Sequence, residues 1–234
     1  MKILSNWNKQ GDDDANFYLN APRFIVFEGG EGAGKTTLID NVEQFFLEKG
    51  VAVVRTREPG GTFFGEQMRN WLLNRRLEMR IDAKAELLLF LSIRAQHIDE
   101  LIAPALNSGK IVLCDRFNDS TIAYQGAGRQ LGVEYVSQLC SLVCGKVVPD
   151  LVFYLDIDPK IGLGRTLATA KENAMAGYMD AIESEKIEFH IRVRKAFQML
   201  AAAVPKRYCS INAEQPRDAV VKAALNLLQD LYRV

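Results

Sequence analysis

Short apolar runs alternate along the chain with segments in which apolar residues recur at helical spacing. Five runs have the length and composition of buried strands: Phe24–Phe27, Val51–Val54, Ile111–Cys114, Leu151–Leu155 and Tyr208–Ile211. Helical patterns separate these runs, which is the order typical of a parallel sheet covered by helices. Residues 23–234 are therefore predicted to form one α/β domain, a doubly wound parallel five-stranded sheet with helices on both faces.

The predicted helices differ in how much of their surface is apolar. The longest, Ala83 to about Asn107, is apolar on most of its circumference, so we expect it to run through the middle of the domain. Others are predicted at about Lys35–Lys49, Gly65–Leu73, Val133–Val143, Ala181–Ala203 and Arg217–Tyr232. A helical pattern also starts at Lys160 but fades after Arg165, which predicts a mobile lid over about 160–183.

A glycine-rich turn follows the first strand and precedes a helix. Residues 29–37 read Gly-Gly-Glu-Gly-Ala-Gly-Lys-Thr-Thr, which matches the phosphate-binding loop in its required setting. Glycines let backbone N–H groups surround an anion, and the helix adds its positive N-terminus. Lys35 would reach the terminal phosphates, and Thr36 would offer a hydroxyl to Mg²⁺. The residues predicted to bind a nucleoside triphosphate are Gly30, Glu31, Gly32, Ala33, Gly34, Lys35, Thr36 and Thr37.

Charged residues follow two other predicted strands, at the sheet edge where open α/β folds bind ligands. Arg57 and Glu58 precede a Pro-Gly-Gly turn, and Asp115 and Arg116 end the third strand. A carboxylate there can hold a metal ion or align an acceptor, and an arginine can stabilise a transferring phosphoryl group. The alternative for the turn that carries Arg57 is a charged, solvent-exposed turn without a role in binding.

Two further segments are candidates for binding the second ligand. Phe90 and Arg94 share one face of the long helix, where the ring of Phe90 can stack on a nucleobase. The same spacing is also compatible with an aromatic residue of the core beside an arginine in an ordinary ion pair. The polar, glycine-rich residues 119–129 are suited to a small polar ligand, or to a solvated connecting loop.

Composition limits the partners. In 234 residues, 29 Lys and Arg balance 29 Asp and Glu, so no basic field favours nucleic acid or an acidic membrane surface. No apolar run is long enough to span a membrane. The four cysteines are expected to be reduced thiols of a cytosolic protein. Residues 1–22, with three consecutive Asp and several Asn, predict a flexible N-terminal arm.

Four short motifs accompany the phosphate-binding loop: Thr-Arg-Glu-Pro-Gly-Gly-Thr at 56–62, Arg-Ala-Gln-His at 94–97, Asp-Arg-Phe at 115–117 and Ala-Tyr-Gln-Gly at 123–126. On these motifs, the chain from Arg23 to the C-terminus resembles bacterial thymidylate kinases. The resemblance implies a P-loop nucleoside monophosphate kinase fold and transfer of the γ-phosphoryl group of MgATP to dTMP, giving dTDP and ADP. It also implies a homodimer.

The resemblance assigns roles to individual residues. Phe90 would stack on thymine and Arg94 would hydrogen-bond to the base. Arg57 and Arg116 would hold the acceptor phosphate, and Asp115 would serve the metal ion or the acceptor. The rest of the nucleoside pocket would be lined by Glu31, Ser120, Tyr124 and Gln125.

One departure from the family concerns the lid. Relatives that have alanine at the position of Ala33 usually carry a lid arginine in an Asp-Arg-x-Glu motif, where this chain has Ala181. The substitute cations we consider are, in order, Arg165, Lys171 and either Arg192 or Arg194. Such an arginine contributes several orders of magnitude in rate. A slow enzyme, or an inactive relative that only binds nucleotides, is therefore an alternative interpretation.

Two other functions are alternatives. Another nucleoside monophosphate or deoxynucleoside kinase would differ only in its acceptor. A GTPase switch would recognise guanine through an Asn-Lys-x-Asp motif late in the chain. The similar string at residues 8–11 precedes the phosphate-binding loop and lacks the Asp, which disfavours the switch.

Overall fold

The fold is a parallel sheet between two layers of helices. The computed structural model describes residues 21–73, 81–172 and 182–232, so the predicted N-terminal arm lies outside them except for its last two residues. The strands are β1 (Phe24–Gly29), β2 (Val53–Arg57), β3 (Ile111–Asp115), β4 (Leu151–Asp156) and β5 (Tyr208–Asn212). All pair in parallel, in the order β2-β3-β1-β4-β5. The predicted five-stranded parallel α/β fold is therefore confirmed.

Helices connect the strands and cover both faces of the sheet. They are α1 (Lys35–Leu47), α2 (Phe63–Leu73), α3 (Ala83–His97), α4 (Ala103–Asn107), α5 (Asn118–Thr121), α6 (Val133–Cys144), α7 (Pro159–Glu172), α8 (Ile187–Ala203) and α9 (Arg217–Tyr232). The π-helical turn Ile98–Ile102 joins α3 to α4 and ends two residues before Pro104, which has no N–H to donate. A second π-helical segment, Ile122–Gly128, continues α5. Among the described residues, none of these helices has both the length and the apolarity of a transmembrane span.

The central strand β1 divides the core in two. Ile25 and Phe27 pack on the side of α1 and α9, whereas Phe24 and Val26 pack on the opposite side, towards α4. Burial of both faces explains why the strand reads as a continuous apolar run rather than as an alternation. Glu28, next along β1, is fully buried at the edge where the ligands are expected.

Several boundaries differ from the sequence-based prediction, among them the following three. β2 begins at Val53 rather than at Val51. α8 begins at Ile187 rather than at Ala181, because the extended backbone of Lys186 precedes its first turn. α7 continues to Glu172, although its apolar pattern fades earlier, since most of its later turns face solvent and need no apolar face.

Residues 119–128 of the segment 119–129 are helical, so its prediction as a loop was wrong. It forms the end of α5 and the π-helical segment, whose residues are almost all buried between α6 and α8. Gly128 permits the close approach of α8, because a Cβ at this position would lie 2.6 Å from the ring of Phe189. Tertiary burial here outweighs the low helix propensity of glycine.

Candidate active site

The phosphate-binding loop lines a cleft of about 1220 Å³ at the C-terminal edge of the sheet. Lys35 Nζ donates hydrogen bonds to the carbonyl oxygens of Gly29 at 3.2 Å and Gly30 at 3.0 Å. The side chain is only 9% exposed, and burial together with the charge of Arg116 lowers the pKa of Lys35. The ammonium group is thus held over the loop, next to the site where a phosphate would bind.

The loop packs directly on α7. A Cβ at Gly32, whose φ is +65°, would lie 2.0 Å from the carbonyl oxygen of Gly162, so only glycine allows this contact. The contact brings Arg165 into the lining of the cleft, where its NH1 donates to the carbonyl oxygen of Ala213 at 2.8 Å.

The other candidates for the lid cation are placed differently. Arg192 donates to the carbonyl oxygen of Gly128 at 2.8 Å, and Arg194 pairs with Asp156 at 2.7 Å. Neither side chain lies in the lining of the cleft as the described residues form it. The side chain of Lys171 and the position of Ala181 lie outside the described residues.

Arg116 lies at the centre of the cleft, between the loop and the π-helical segment. Its NH1 donates to the carbonyl oxygen of Gly29 at 2.9 Å and to Ser120 Oγ at 3.2 Å, and its NH2 donates to Glu31 Oε1 at 2.8 Å. The hydroxyl of Tyr124 donates to the same Glu31 oxygen at 2.7 Å. Burial by itself raises the pKa of Glu31, but the charges of Arg116 and Lys35 outweigh it and lower the pKa to about 2. Glu31 is therefore a carboxylate at neutral pH.

Phe90 and Arg94 line the far part of the cleft, as the shared helix face predicts. Arg94 is 1% exposed. Its Nε donates to Glu58 Oε2 at 2.8 Å, and its NH2 donates to Thr121 Oγ1 at 2.8 Å. Glu58 Oε1 lies 3.0 Å from His97 Nδ1. The anionic partner that a buried arginine requires is thus Glu58, from the turn after β2.

Arg57 and Arg69 stand at the mouth of the cleft. The Arg57 side chain is 53% exposed and pairs with Glu66 at 2.8 Å. Arg69, on α2, donates to the carbonyl oxygen of Pro59 at 2.7 Å, and burial together with the charge of Arg57 lowers its pKa. Sequence reasoning missed Arg69. Its place in the sequence could have indicated it, because it lies about two turns into the amphipathic helix that follows the Pro-Gly-Gly turn.

Asp115 and Thr36 both line the cleft and can supply oxygen ligands to a metal ion. Asp115 Oδ1 is buried and has no hydrogen-bond partner among the described residues. Such an oxygen, beside a hydroxyl, suits Mg²⁺, which proteins often hold by one or two side chains together with substrate phosphates. Among the described residues there is no cluster of three His, Cys, Asp or Glu side chains that could hold a metal by itself.

Comparison with known proteins agrees with the motifs. The family model for thymidylate kinase matches residues 27–224. The chain belongs to the thymidylate kinase family. The thymidylate kinase of Protochlamydia amoebophila (strain UWE25) is 52% identical over 209 residues, 89% of this chain and 93% of that protein. That of Teredinibacter turnerae (strain ATCC 39867 / T7901) is 47% identical over 83% of this chain and 91% of that protein.

A solved thymidylate kinase has the same fold. The crystal structure of thymidylate kinase from Ehrlichia chaffeensis matches with a TM-score of 0.69 and 36% identity, and the match covers 88% of this chain and 97% of that one. Thymidylate kinases are phosphotransferases, so family membership confirms that this chain is a nucleotide-binding kinase.

A buried acid, Glu28, holds the turn that carries Arg116. Its Oε1 accepts from the backbone N–H groups of Phe117 at 2.9 Å and Ser120 at 3.2 Å, and its Oε2 lies 2.6 Å from Ser120 Oγ. Burial and the nearby charge of Asp119 raise the pKa of Glu28 to about 8, in spite of Arg116. Sequence reasoning missed Glu28, although a charged residue at the end of an apolar strand could have indicated a buried carboxylate at the site.

The raised pKa predicts how stability depends on pH. The ordinary pKa of this carboxyl is 4.5, and in the folded protein it is about 8. Between these two pH values, Glu28 keeps its proton in the folded protein but has lost it in the unfolded chain. The contribution of Glu28 to the free energy of unfolding therefore falls as the pH rises through this range. Glu28→Gln removes this titration while it keeps an acceptor for both N–H groups. We expect the variant to gain stability relative to wild type from pH 5 to pH 8, measured by urea unfolding. A difference that does not change with pH would contradict the assignment.

Proposed function

We propose that the protein transfers the γ-phosphoryl group of MgATP to the 5′-phosphate of dTMP, giving dTDP and ADP. The observation that carries this proposal is a single cleft with the phosphate-binding loop on one side and the Phe90–Arg94 pocket on the other. The cations Lys35 and Arg116 lie between the two sides. Membership of the thymidylate kinase family supports the same reaction.

The donor nucleotide would bind along the loop and α7. Its phosphates would lie against the backbone N–H groups of residues 30–37, and its base would lie towards Arg165 and residues 213–217, which line that end of the cleft. Thr36 and Asp115 would hold Mg²⁺. When bound, this ion supplies positive charge that neutralises the β- and γ-phosphates.

The acceptor would bind across the cleft from the donor. Phe90 would stack on the base and Arg94 would donate to it, since Arg94 has N–H groups beyond those that Glu58 and Thr121 accept. The acceptor phosphate would be held by Arg57, Arg69 and Arg116. Residues that would line the nucleoside part of the site are Glu31, Ser120, Tyr124 and Gln125.

Phosphoryl transfer requires positioning and cations more than covalent chemistry. Hydrogen bonds to Gly29, Ser120 and Glu31 fix the Arg116 guanidinium before any substrate binds. A cation oriented in this way stabilises charge on the transferring group without a reorganisation cost. No general base is needed, because the attacking phosphate oxygen is already ionised at neutral pH. Arg165 is our proposed lid cation, as it already lies in the cleft.

We also propose that the protein is a homodimer in the cytoplasm. α3 exposes Leu88, which is 61% accessible, and α6 exposes Tyr135 and Leu142, seven residues apart and therefore on one helix face. Apolar side chains exposed on neighbouring helices are typical of a surface that a second subunit covers. The reduced state of the buried cysteines fits a cytoplasmic location.

The acceptor assignment is tested by ADP release with MgATP and each of dTMP, dUMP, dCMP and dGMP. We expect dTMP to have the highest kcat/KM. A preference for another monophosphate would favour the alternative of a kinase with a different acceptor. Binding of both nucleotides without turnover would favour an inactive relative, and nucleotide hydrolysis that ignores all four acceptors would favour a switch protein.

A further inference from the structure

The side-chain amide of Gln125 is held in one orientation by a buried carboxylate. Gln125 is 1% exposed and lines the cleft, and its Nε2 donates to Glu86 Oε1 at 2.9 Å. Glu86 lies in the first turn of α3 and is 3% exposed. A carboxylate has only acceptor oxygens, so the amide must turn its NH₂ group towards Glu86 and its carbonyl oxygen away from it.

Arg129 supplies the positive charge that keeps Glu86 in place. Its Nε and NH2 lie 3.0 Å and 3.3 Å from the two Glu86 oxygens, which is a two-point pairing. Arg129 is fixed in turn by a hydrogen bond to Glu185 and by the ring of Phe189, whose centroid is 5.0 Å from its guanidinium carbon. The amide of Gln125 is therefore held by a hydrogen-bonded network whose inner members, Gln125 and Glu86, are buried. Rotation of the amide would place its carbonyl oxygen against a carboxylate.

The orientation matters because pyrimidine bases differ at one edge. Thymine and uracil present an acceptor at O4 and a donor at N3–H, whereas cytosine presents a donor at N4 and an acceptor at N3. Arg94 offers only donors to the cleft, and Gln125 in this orientation offers its carbonyl oxygen. The pair complements the O4 acceptor and N3–H donor of thymine and uracil. On cytosine, the donor of Arg94 would face the N4 donor and the carbonyl oxygen of Gln125 would face the N3 acceptor.

We propose that Glu86, held by Arg129, is a positioning residue that fixes the Gln125 carbonyl towards the base and so selects thymine and uracil against cytosine. The proposal rests on the proposed acceptor site. Sites built to hydrogen-bond a substrate group discriminate strongly against an analogue that lacks it, because buried polar groups are then left unpaired. In this structure the discriminating group would be set by a residue that does not itself touch the base.

The test compares kcat/KM for dTMP, dUMP and dCMP in wild type and in Glu86→Gln. The replacement is isosteric but exchanges one acceptor oxygen for an NH₂ group, which must face a donor of Gln125 or of Arg129, so the Gln125 amide loses its fixed orientation. We expect the dTMP to dCMP ratio to fall about tenfold or more. The dTMP to dUMP ratio should not change, because the two bases share the O4 and N3–H edge. Glu188→Gln is the matched control, since it makes the same replacement at an exposed carboxylate in the first turn of α8, outside this network, and should leave both ratios unchanged.

A dTMP to dCMP ratio within twofold of wild type in Glu86→Gln would overturn the proposal. An equal fall in both ratios would also overturn it, since that result describes general loosening of the pocket. Arg129→Lys keeps the charge without the two-point pairing and should shift the dTMP to dCMP ratio in the same direction by less, which provides the test if Glu86→Gln does not fold. Dissociation constants for the three monophosphates without ATP give the same comparison even if wild type fails to phosphorylate dTMP.

Discussion

Lys35→Met is expected to lower kcat by about three orders of magnitude or more with the fold unchanged. Lys35 is the cation of the phosphate-binding loop, and its partners in the structure are two loop carbonyl oxygens, so its charge is available to a phosphate in the transition state. Burial and the charge of Arg116 lower the pKa of Lys35, so the folded environment does not favour its charged form, and methionine can fill the same volume. Steady-state ADP release and thermal unfolding measure the two parts of this expectation.

The matched control is Lys110→Met, which removes an exposed lysine between α4 and β3, on the opposite edge of the sheet from the cleft. Its kcat should equal that of wild type. If Lys35→Met kept more than about a tenth of the wild-type kcat, the loop could not be the site where charge develops. A large fall in melting temperature would instead assign Lys35 a structural role.

Arg116→Lys is expected to lower kcat/KM for dTMP by about a hundredfold to a thousandfold, although the charge is kept. The planar guanidinium of Arg116 contacts Gly29, Ser120 and Glu31 at the same time, and the flexible ammonium of lysine cannot match that fork. The acceptor phosphate would then meet a cation that must be reoriented during the reaction. The apparent KM for ATP should change much less, because the triphosphate contacts the loop backbone.

Arg55→Lys is the control for Arg116→Lys, because Arg55 lies on a neighbouring strand and pairs with Asp40 and Glu43, away from the cleft. It should leave both kcat and KM within twofold of wild type. If the two arginine variants behaved alike, or if Arg116→Lys raised the KM for ATP as much as that for dTMP, Arg116 would not be the acceptor-side cation.

Much of the site could be predicted because parallel strands end at one edge of the sheet. Arg57 and Asp115 end two strands and Lys35 follows a third, and the apolar runs before them were enough to place all three together. The helical face shared by Phe90 and Arg94 was likewise readable from spacing alone. These predictions rest on local periodicity, which tertiary packing did not alter.

Other parts of the site depend on contacts between distant segments. Glu28, Arg69 and Glu86 have no motif of their own, and each matters only through what it touches across the fold. Glu86 meets Gln125 across 39 positions of sequence, and no local pattern records that distance. The helical form of residues 119–128 was missed for the same reason, since burial by α6 and α8 rather than propensity stabilises it.

By itself the sequence determined the class of fold, the family, and the phosphate-binding loop with its lysine, because each depends on residues adjacent along the chain. The tertiary structure alone decided which carboxylate pairs with Arg94, which way the Gln125 amide faces, and that Glu28 holds the Arg116 turn. Hydrogen bonds act over about 3 Å in space regardless of chain separation, so they become readable only after the chain has packed.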